Sequence, residues 1–252
     1  MFRTFAEAMV SGRTLTFGHR GARAYAPMNT LPSFEMAAAM GAHGVEFDVR
    51  RSKDGVLVIL HDPTVDGTSN GNGAVDALTF AQLRELDFGA WMGEQFAGAQ
   101  IPTLDEVFEL IGQRQLMNVE IKSEHLSSGG IEAQVAEVIA RHSLASRVLV
   151  SSFNPLVVRR CIAAMPHVLR GLLVETETTF ERARLLDSLQ IQALHPYYPY
   201  INEAYMAQAR ARGLAVNTWT VNDPADALRL RDLGVGAVIT DRPDVILEAL
   251  GG

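Results

Sequence analysis

The chain has 252 residues, of which 48% are hydrophobic and 20% are charged, so it can bury a large core and long disordered stretches are not expected. Its net charge of −7 argues against a general nucleic-acid binder, which carries a basic surface. The single cysteine, Cys161, excludes an internal disulfide and a cysteine-based zinc cluster, and we interpret it as a small buried residue.

The N-terminal residues predict a short amphipathic helix that lies on the domain, because Phe2, Phe5, Met9 and Val10 recur at helical spacing. The segment has an acidic residue in its middle and no long apolar run, unlike a signal peptide. No stretch approaches the ~18 apolar residues of a membrane span. We therefore expect a soluble cytoplasmic protein.

After this helix, short apolar runs alternate with helical patterns. Strands are predicted at 14–19, 44–50, 56–61, 116–122, 147–152, 169–175, 192–196, 215–220 and 237–240. Helices are predicted at about 31–41, 103–114, 130–142, 155–164, 178–188, 202–212, 223–233 and 243–250. Continuous apolar strands separated by helices indicate a parallel sheet, and eight such units favour a closed (β/α)8 TIM barrel in the α/β class.

One segment interrupts the alternation. Residues 62–101 begin with a cluster of Gly, Asn and Ser and continue with weak periodicity, which indicates loops and turns. We interpret this segment as a small insertion after the second barrel strand, standing over the barrel mouth. No Pro-, Gly- or Ser-rich linker divides the chain, so residues 1–252 are predicted to form one domain.

Polar residues gather at the carboxyl ends of the predicted strands, where barrel enzymes place their chemistry. The first strand ends in His19 and Arg20, and the run at 56–61 ends in His61 and Asp62. Further strands carry or end in Glu46, Asp48, Glu120, Lys122, Ser151, Ser152, Glu175, His195 and Trp219.

Strand geometry pairs the charged residues. Alternate residues of a strand share a face, so Glu46 lies beside Asp48, and Glu120 beside Lys122. If that face is the barrel interior, three carboxylates meet only two cations, Arg20 and Lys122, and a divalent metal with oxygen ligands, Mg²⁺ or Ca²⁺, relieves their repulsion. The alternatives are a solvated strand edge for the acids and a surface position for the lysine.

The two histidines suit an acid/base pair, because an imidazole titrates near neutral pH. Arginine is well suited to phosphate oxygens. A metal, two cations and two histidines describe a site that cleaves a phosphoester bond. The alternative for a single strand-end histidine is a structural role.

With these residues in place, the sequence resembles the glycerophosphodiester phosphodiesterase family over nearly its whole length. The motifs that carry the resemblance occur in the family's order and spacing: HRG at 19–21, VEFDV at 45–49, KDGVLVILHD at 53–62, IPTLDEVF at 101–108, NVEIK at 118–122, SSFNP at 151–155, NTWTVND at 217–223 and GAVITDRPD at 236–244.

The resemblance implies a TIM barrel that hydrolyses small-molecule glycerophosphodiesters to an alcohol and sn-glycerol 3-phosphate. It makes Glu46, Asp48 and Glu120 the metal ligands, His19 and His61 the general base and acid, and Arg20 and Lys122 the phosphate-binding residues. His195 and Trp219 match rim positions near the substrate, although Trp219 fits a core position equally well. The nucleophile is either the glycerol 2-hydroxyl or water.

Two positions depart from the family pattern. Residues 27–30 read Pro-Met-Asn-Thr, whereas the family usually has an acidic residue where Met28 stands. Gly67 stands near a position where the family often has an arginine. Thr30 is still expected to cap the following helix, whereas Arg20 is expected to be held less firmly. Met28 leaves three interpretations: altered substrate preference or reduced activity, a barrel that binds phosphodiesters without cleaving them, or a substitution without functional effect.

Two other functions compete with this hypothesis. Phospholipase-D-like cleavage of lysolipids or sphingolipids would be favoured by an exposed apolar ridge at the barrel mouth, which insertion residues Phe88, Trp91, Met92 and Phe96 could supply. A non-catalytic phosphodiester-binding barrel would bind anions without turnover, because a barrel fold by itself does not determine chemistry.

Overall fold

A ring of eight parallel strands forms the centre of the computed structural model, which describes residues 2–9, 11–123, 128–176, 180 and 183–251. The ring runs in chain order and closes where the first strand pairs with the second and the last. Including one extra strand, β3, the strands are β1 (Leu15–His19), β2 (Gly44–Arg51), β3 (Leu57–Ile59), β4 (Leu116–Ile121), β5 (Val148–Ser152), β6 (Leu169–Val174), β7 (Ala193–Pro196), β8 (Ala215–Thr218) and β9 (Ala237–Thr240). The predicted TIM barrel is confirmed.

The extra strand explains why nine apolar runs form an eight-stranded barrel. β3 pairs antiparallel with the end of β2, with Val49 opposite Ile59, and therefore lies outside the closed ring. It leads into the insertion, whose apolar side chains Val65, Val75, Leu83, Phe88 and Ile101 form a cluster with Val58 of β3 and the adjacent Leu60. The insertion thus follows the second strand as expected, while the assignment of residues 1–252 to one domain stays a prediction.

Most helices in the described part of the chain connect successive barrel strands and pack on their outer faces, whereas the first helix precedes the barrel and the third lies within the insertion. The helices are α1 (Phe5–Met9), α2 (Leu31–Ala39), α3 (Phe80–Arg84), α4 (Leu104–Ile111), α5 (Ile131–Arg141), α6 (Pro155–Ala164), α7 (Ala183–Leu189), α8 (Glu203–Ala211), α9 (Pro224–Leu233) and α10 (Pro243–Leu250). Local sequence defines several helix starts; at α4, Thr103 and Glu106 form a reciprocal capping box. Within the described ranges, no helix combines the length and apolarity needed to cross a membrane.

Some predicted details differ from the structure. Thr30 occupies the N-cap position of α2, but its hydroxyl donates to the Pro27 carbonyl oxygen at 2.5 Å and caps no backbone N–H, so the capping prediction is wrong. In α1, Phe5 is buried against Phe17, whereas Met9 is 46% exposed. Val10, and residues 178–179 and 181–182 of the predicted helix at 178–188, lie outside the described residues.

The barrel interior changes character along its axis. Apolar side chains fill the end where the strands begin, in a cluster that includes Phe5, Leu15, Phe17 and Leu116. Towards the carboxyl ends of the strands the interior residues are charged or polar and still buried: Glu46, Asp48, Asn118, Glu120, Ser151 and His195. Since burying such groups is costly unless they are paired, this end of the barrel is the candidate site.

Candidate active site

Three buried carboxylates lie together at the carboxyl ends of two adjacent strands. Glu46 and Asp48 come from β2 and Glu120 from β4, with Asp48 directly beside Glu120 in the parallel register. They are 4%, 1% and 6% exposed, and one oxygen from each lies within 4.8 Å of the others. The alternation along β2 therefore points both acids into the barrel, as expected.

Two cations contact these carboxylates. The Lys122 Nζ lies 3.1 Å from Asp48 Oδ1 and 2.6 Å from Glu120 Oε1. The Arg20 Nε lies 3.3 Å from Asp48 Oδ2. Asp48 is thus flanked on both sides, and its Oδ2 also accepts a hydrogen bond from Asn29 Nδ2 at 2.9 Å.

This arrangement separates the pKa values of the three acids. Burial and the charge of Asp48 raise the pKa of Glu46 well above its ordinary value, and the same causes raise the pKa of Glu120 to about 7. Burial would also raise the pKa of Asp48, but Lys122 and Arg20 hold that pKa below its ordinary value. Three acids with two cations leave the cluster short of positive charge.

The cluster fits a divalent metal ion. Its donors are carboxylate oxygens, which hard cations such as Mg²⁺ and Ca²⁺ prefer, and it contains no sulfur ligand. The raised pKa values of Glu46 and Glu120 also indicate a missing positive charge, because a cation bound beside the two carboxylates would favour their charged forms. Glu46, Asp48 and Glu120 can therefore hold a metal.

His19 is buried beside this cluster and is fixed by an acid from the far end of the chain. Its Nδ1 lies 2.7 Å from Asp241 Oδ1, and its Nε2 lies 4.0 Å from Glu46 Oε2. Burial lowers the pKa of His19. Burial would raise the pKa of Asp241, but the hydrogen bond with His19 holds that pKa below its ordinary value.

Asp241 is a site residue that the sequence-based reasoning missed, although it directly follows the predicted strand at 237–240. The rule that placed polar residues at strand ends also applies to this position. Its second oxygen, Oδ2, accepts a hydrogen bond from Asn222 Nδ2 at 2.9 Å. Asp241 is therefore anchored where it orients the imidazole.

His61 reaches the same cleft from the start of the insertion. Its Nδ1 lies 2.7 Å from Asp62 Oδ1, and its side chain is 36% exposed. The Arg50 guanidinium donates to the His61 carbonyl oxygen from Nε at 2.9 Å and from Nη2 at 2.7 Å, which fixes the backbone at this point. Burial lowers the pKa of His61.

These groups line one cleft of about 110 Å³. Its polar wall contains both histidines, Arg20 and Lys122, together with Glu46, Glu120 and Asn118. The remaining lining residues are partly aromatic: Phe153, Leu173, Glu175, Trp219 and Ile239. The Phe153 and Trp219 rings meet edge to face at 5.5 Å between centroids.

Of the two rim candidates, Trp219 lines the cleft and His195 does not. The Trp219 indole Nε1 donates to the His195 carbonyl oxygen at 2.9 Å. His195 is 1% exposed, burial lowers its pKa to about 3, and its ring nitrogens lie 3.5 and 3.1 Å from the side-chain amides of Asn118 and Asn217. His195 thus supports the floor of the cleft from within the barrel.

The two departures from the family pattern have different surroundings. Met28 Sδ lies 3.2 Å from Arg20 Nη1, so the sulfur occupies the place beside the guanidinium. At Gly67, a Cβ atom would lie 3.5 Å from Asp62 Oδ2, so a larger residue there would stand beside the partner of His61.

Comparison with known proteins agrees with this geometry. Residues 19–245 match the model of the glycerophosphoryl diester phosphodiesterase family. A glycerophosphodiester phosphodiesterase of Caldanaerobacter subterraneus subsp. tengcongensis is 39% identical over 237 residues, covering 94% of this chain and 97% of that protein. A Bacillus subtilis glycerophosphodiester phosphodiesterase is 32% identical, covering 95% of this chain and 87% of that protein.

Solved structures give the same result. A phosphodiesterase of Oleispira antarctica, solved in complex with the product sn-glycerol-3-phosphate, has a TM-score of 0.87 at 32% identity and covers 96% of this chain and 98% of its own. A glycerophosphodiester phosphodiesterase of Thermotoga maritima has a TM-score of 0.73 at 27% identity and covers 94% of this chain and 97% of its own. The chain therefore belongs to the glycerophosphoryl diester phosphodiesterase family, and it is a phosphoric diester hydrolase.

Proposed function

We propose that the protein hydrolyses glycerophosphodiesters to an alcohol and sn-glycerol 3-phosphate, with a divalent metal, Mg²⁺ or Ca²⁺, and with two histidines as general base and acid. The observation that carries the proposal is that His19 and His61 line the same cleft as Arg20, Lys122 and carboxylates of the acidic cluster. The product complex of the Oleispira relative supports the same product for this chain.

Glu46, Asp48 and Glu120 would hold the metal. When bound, a divalent cation supplies Lewis-acid polarisation and neutralises charge that develops on the phosphoryl group. Arg20 and Lys122 line the cleft beside these ligands. Their guanidinium and ammonium groups would bind the phosphoryl oxygens and orient the diester for attack.

His19 would act as the general base. A carboxylate that accepts the Nδ1–H, here Asp241 at 2.7 Å, leaves the lone pair on Nε2. Burial lowers the pKa of His19 and so favours the neutral imidazole that can take a proton. Its Nε2 would accept the proton of the glycerol 2-hydroxyl or of a water molecule.

His61 would act as the general acid. Burial lowers the pKa of His61, and the contact of its Nδ1 with Asp62 opposes that shift by stabilising the imidazolium, whose Nε2 also carries a proton. The side chain is more exposed than that of His19, so it can exchange protons with solvent between turnovers. It would donate its Nε2 proton to the departing alkoxide oxygen.

Release of sn-glycerol 3-phosphate from glycerophosphocholine and glycerophosphoethanolamine tests the function. The assay is run with Mg²⁺, with Ca²⁺ and after chelation, with His19→Ala as the control variant. We expect metal-dependent release that the control variant lacks. A folded protein without release in either metal would contradict the proposal.

A change of leaving group tests the two histidine roles. A glycerophosphodiester of 4-nitrophenol has a leaving group that departs without protonation. We expect His61→Ala to lose activity on glycerophosphocholine and to keep most of it on the nitrophenyl diester, whereas His19→Ala loses both. If instead His19→Ala kept most of its activity on the nitrophenyl diester and His61→Ala lost activity on both substrates, His19 would be the general acid and His61 the general base.

A phospholipase-D-like activity on lysolipids is the second candidate, because apolar side chains are exposed after β5 and β7. Phe153, Leu156 and Tyr197 are 40%, 37% and 38% exposed, and Phe153 also lines the cleft. The insertion supplies less of this surface than expected, since Phe88 is 3% exposed while Trp91 is 46% exposed. Choline release from lysophosphatidylcholine that exceeds release from glycerophosphocholine would favour this activity.

A further inference from the structure

The two cations of the cleft are held in different ways. Lys122 is tied to two carboxylates, Asp48 and Glu120. Among the described residues, the Arg20 guanidinium contacts one carboxylate, Asp48, and does so through Nε at 3.3 Å. Its Nη1 faces the Met28 sulfur at 3.2 Å, and a thioether is an uncharged, weak acceptor. Within the described part of the chain, the Nη1 edge of Arg20 therefore faces a neutral sulfur and has no acid within ion-pair distance.

The backbone fixes the position of residue 28 independently of its side chain. Arg20 and Asn29 both adopt left-handed φ values, 54° and 60°. The Arg20 carbonyl oxygen accepts the Asn29 N–H at 3.0 Å and the Ser33 hydroxyl at 3.1 Å. Asn29 is also bonded to Asp48 at 2.9 Å. Because these contacts hold the turn from both sides, a different side chain at position 28 would still stand beside Arg20.

A negative charge at position 28 would act on a bound anion in two ways. It would occupy Nη1, and it would repel the anion in proportion to the anion's own charge. A phosphodiester carries one negative charge, whereas the monoester product carries two above its second pKa, near 6. The absence of an acid at position 28 therefore favours the product over the substrate.

We propose that Met28 is a specificity-determining residue that keeps the Arg20 guanidinium free for phosphate, so that the site binds doubly charged phosphate monoesters more tightly than singly charged diesters. This inference rests on the proposed function in one respect, the assignment of Arg20 to phosphate binding. It implies that the monoester product is a strong inhibitor of the reaction that generates it.

Calorimetric titration with a matched pair of unreactive anions tests the inference without turnover. At pH 8, methyl phosphate is a dianion and dimethyl phosphate is a monoanion of similar size. The metal-loaded wild-type protein is compared with Met28→Glu, with Met28→Gln as the neutral control of the same shape, and with Met28→Leu as the control that removes the sulfur. Thermal melts verify that each variant is folded.

We expect Met28→Glu to weaken dimethyl phosphate binding about tenfold, because the added carboxylate repels a singly charged anion beside Arg20. It should weaken methyl phosphate binding about 100-fold, because twice the charge doubles the change in free energy. Met28→Gln and Met28→Leu should stay within about threefold of wild type for both anions, since neither adds charge. In the catalytic assay, the inhibition constant of sn-glycerol 3-phosphate should rise in Met28→Glu by the larger factor.

Equal weakening of the two anions in Met28→Glu would overturn the inference, as would a comparable loss in Met28→Leu, because either result would mean that shape rather than charge matters at position 28. These titrations measure phosphate binding alone. If the wild-type protein released no sn-glycerol 3-phosphate from any diester, the proposed function would fail while the anion selectivity of Met28 would still be measured.

Discussion

The two histidines of the cleft show how differently one barrel can support similar groups. His19 stands at the end of barrel strand β1, is 11% exposed in its side chain, and is bound to Asp241, which follows β9 near the other end of the chain. His61 follows the extra strand β3, is 36% exposed, and is bound to its immediate neighbour Asp62. Both Nδ1–carboxylate distances are 2.7 Å.

The difference lies in which part of the chain supplies the carboxylate and in how far the pair is shielded from water. The His19 pair exists only in the closed barrel, because β1 and β9 are neighbours in the ring. The His61 pair is local and partly solvated, and exposed pairs contribute little stabilisation. We therefore expect changes around His19 to have larger effects than the matching changes around His61.

The largest effect is expected from removal of either imidazole. His19→Ala and His61→Ala should each lower kcat for glycerophosphocholine by about 10²- to 10⁴-fold, the usual contribution of a general acid or base. Added imidazole should restore part of the rate in His61→Ala, whose site is open to solvent, and not in His19→Ala. The rate is measured against imidazole concentration, and equal rescue of the two variants would contradict the comparison.

Removal of the partner charge of His19 should have the next largest effect. Asp241→Asn is expected to lower kcat on the order of 10²-fold, because the amide can present a donor to Nδ1 and so favour the wrong tautomer. Arg23→Ala is the matched control, since Arg23 Nη1 lies 3.6 Å from the same Asp241 oxygen and the Arg23 side chain is 36% exposed. If kcat fell as much in Arg23→Ala as in Asp241→Asn, the loss would reflect a change of charge near His19 and not the tautomer of its imidazole.

The buried acids beside His19 should make metal binding depend on pH. Burial and Asp48 raise the pKa of Glu120 from 4.5 to about 7, so over this interval the metal-free folded protein binds more protons than the unfolded chain. Its free energy of unfolding should therefore fall as pH rises through that window. A metal displaces those protons, so its affinity should rise about tenfold per pH unit for each proton released.

Melting temperatures from pH 5 to 8, with Ca²⁺, with Mg²⁺ and with chelator, measure this dependence. The stabilisation by metal should grow with pH in the wild-type protein. In Glu120→Gln, which has no proton to lose at this position, the metal-free melting temperature should vary less with pH. A stabilisation that is constant over the range would mean that the acids are already ionised without metal.

The smallest effect is expected at the exposed pair. Asp62→Asn should lower kcat by no more than about fivefold, because a partly solvated ion pair contributes about 1 kcal/mol or less. The measurement is the ratio of kcat values for Asp62→Asn and Asp241→Asn on one substrate. A ratio near one would show that solvent exposure does not distinguish the two histidines.

Sequence alone predicted the barrel and most of the residues that line the candidate site. Apolar strands and amphipathic helices have local signatures, and alternation along a strand gave the common direction of Glu46 and Asp48. The strand-end rule brought His19, Arg20, His61 and Lys122 to one rim, and they line one cleft in the structure. The predicted cap of α2 was wrong because the Thr30 hydroxyl donates to Pro27, a choice between neighbouring partners that residue type does not specify.

What the sequence determined, then, is the set of strands and helices and the face on which each charged residue lies, because periodicity and residue chemistry are local properties. Only the tertiary structure decided which groups meet across the ring. It paired His19 with Asp241 and buried His195 between the side-chain amides of Asn118 and Asn217. These contacts depend on closure of the barrel, which brings residues distant in sequence within hydrogen-bonding distance.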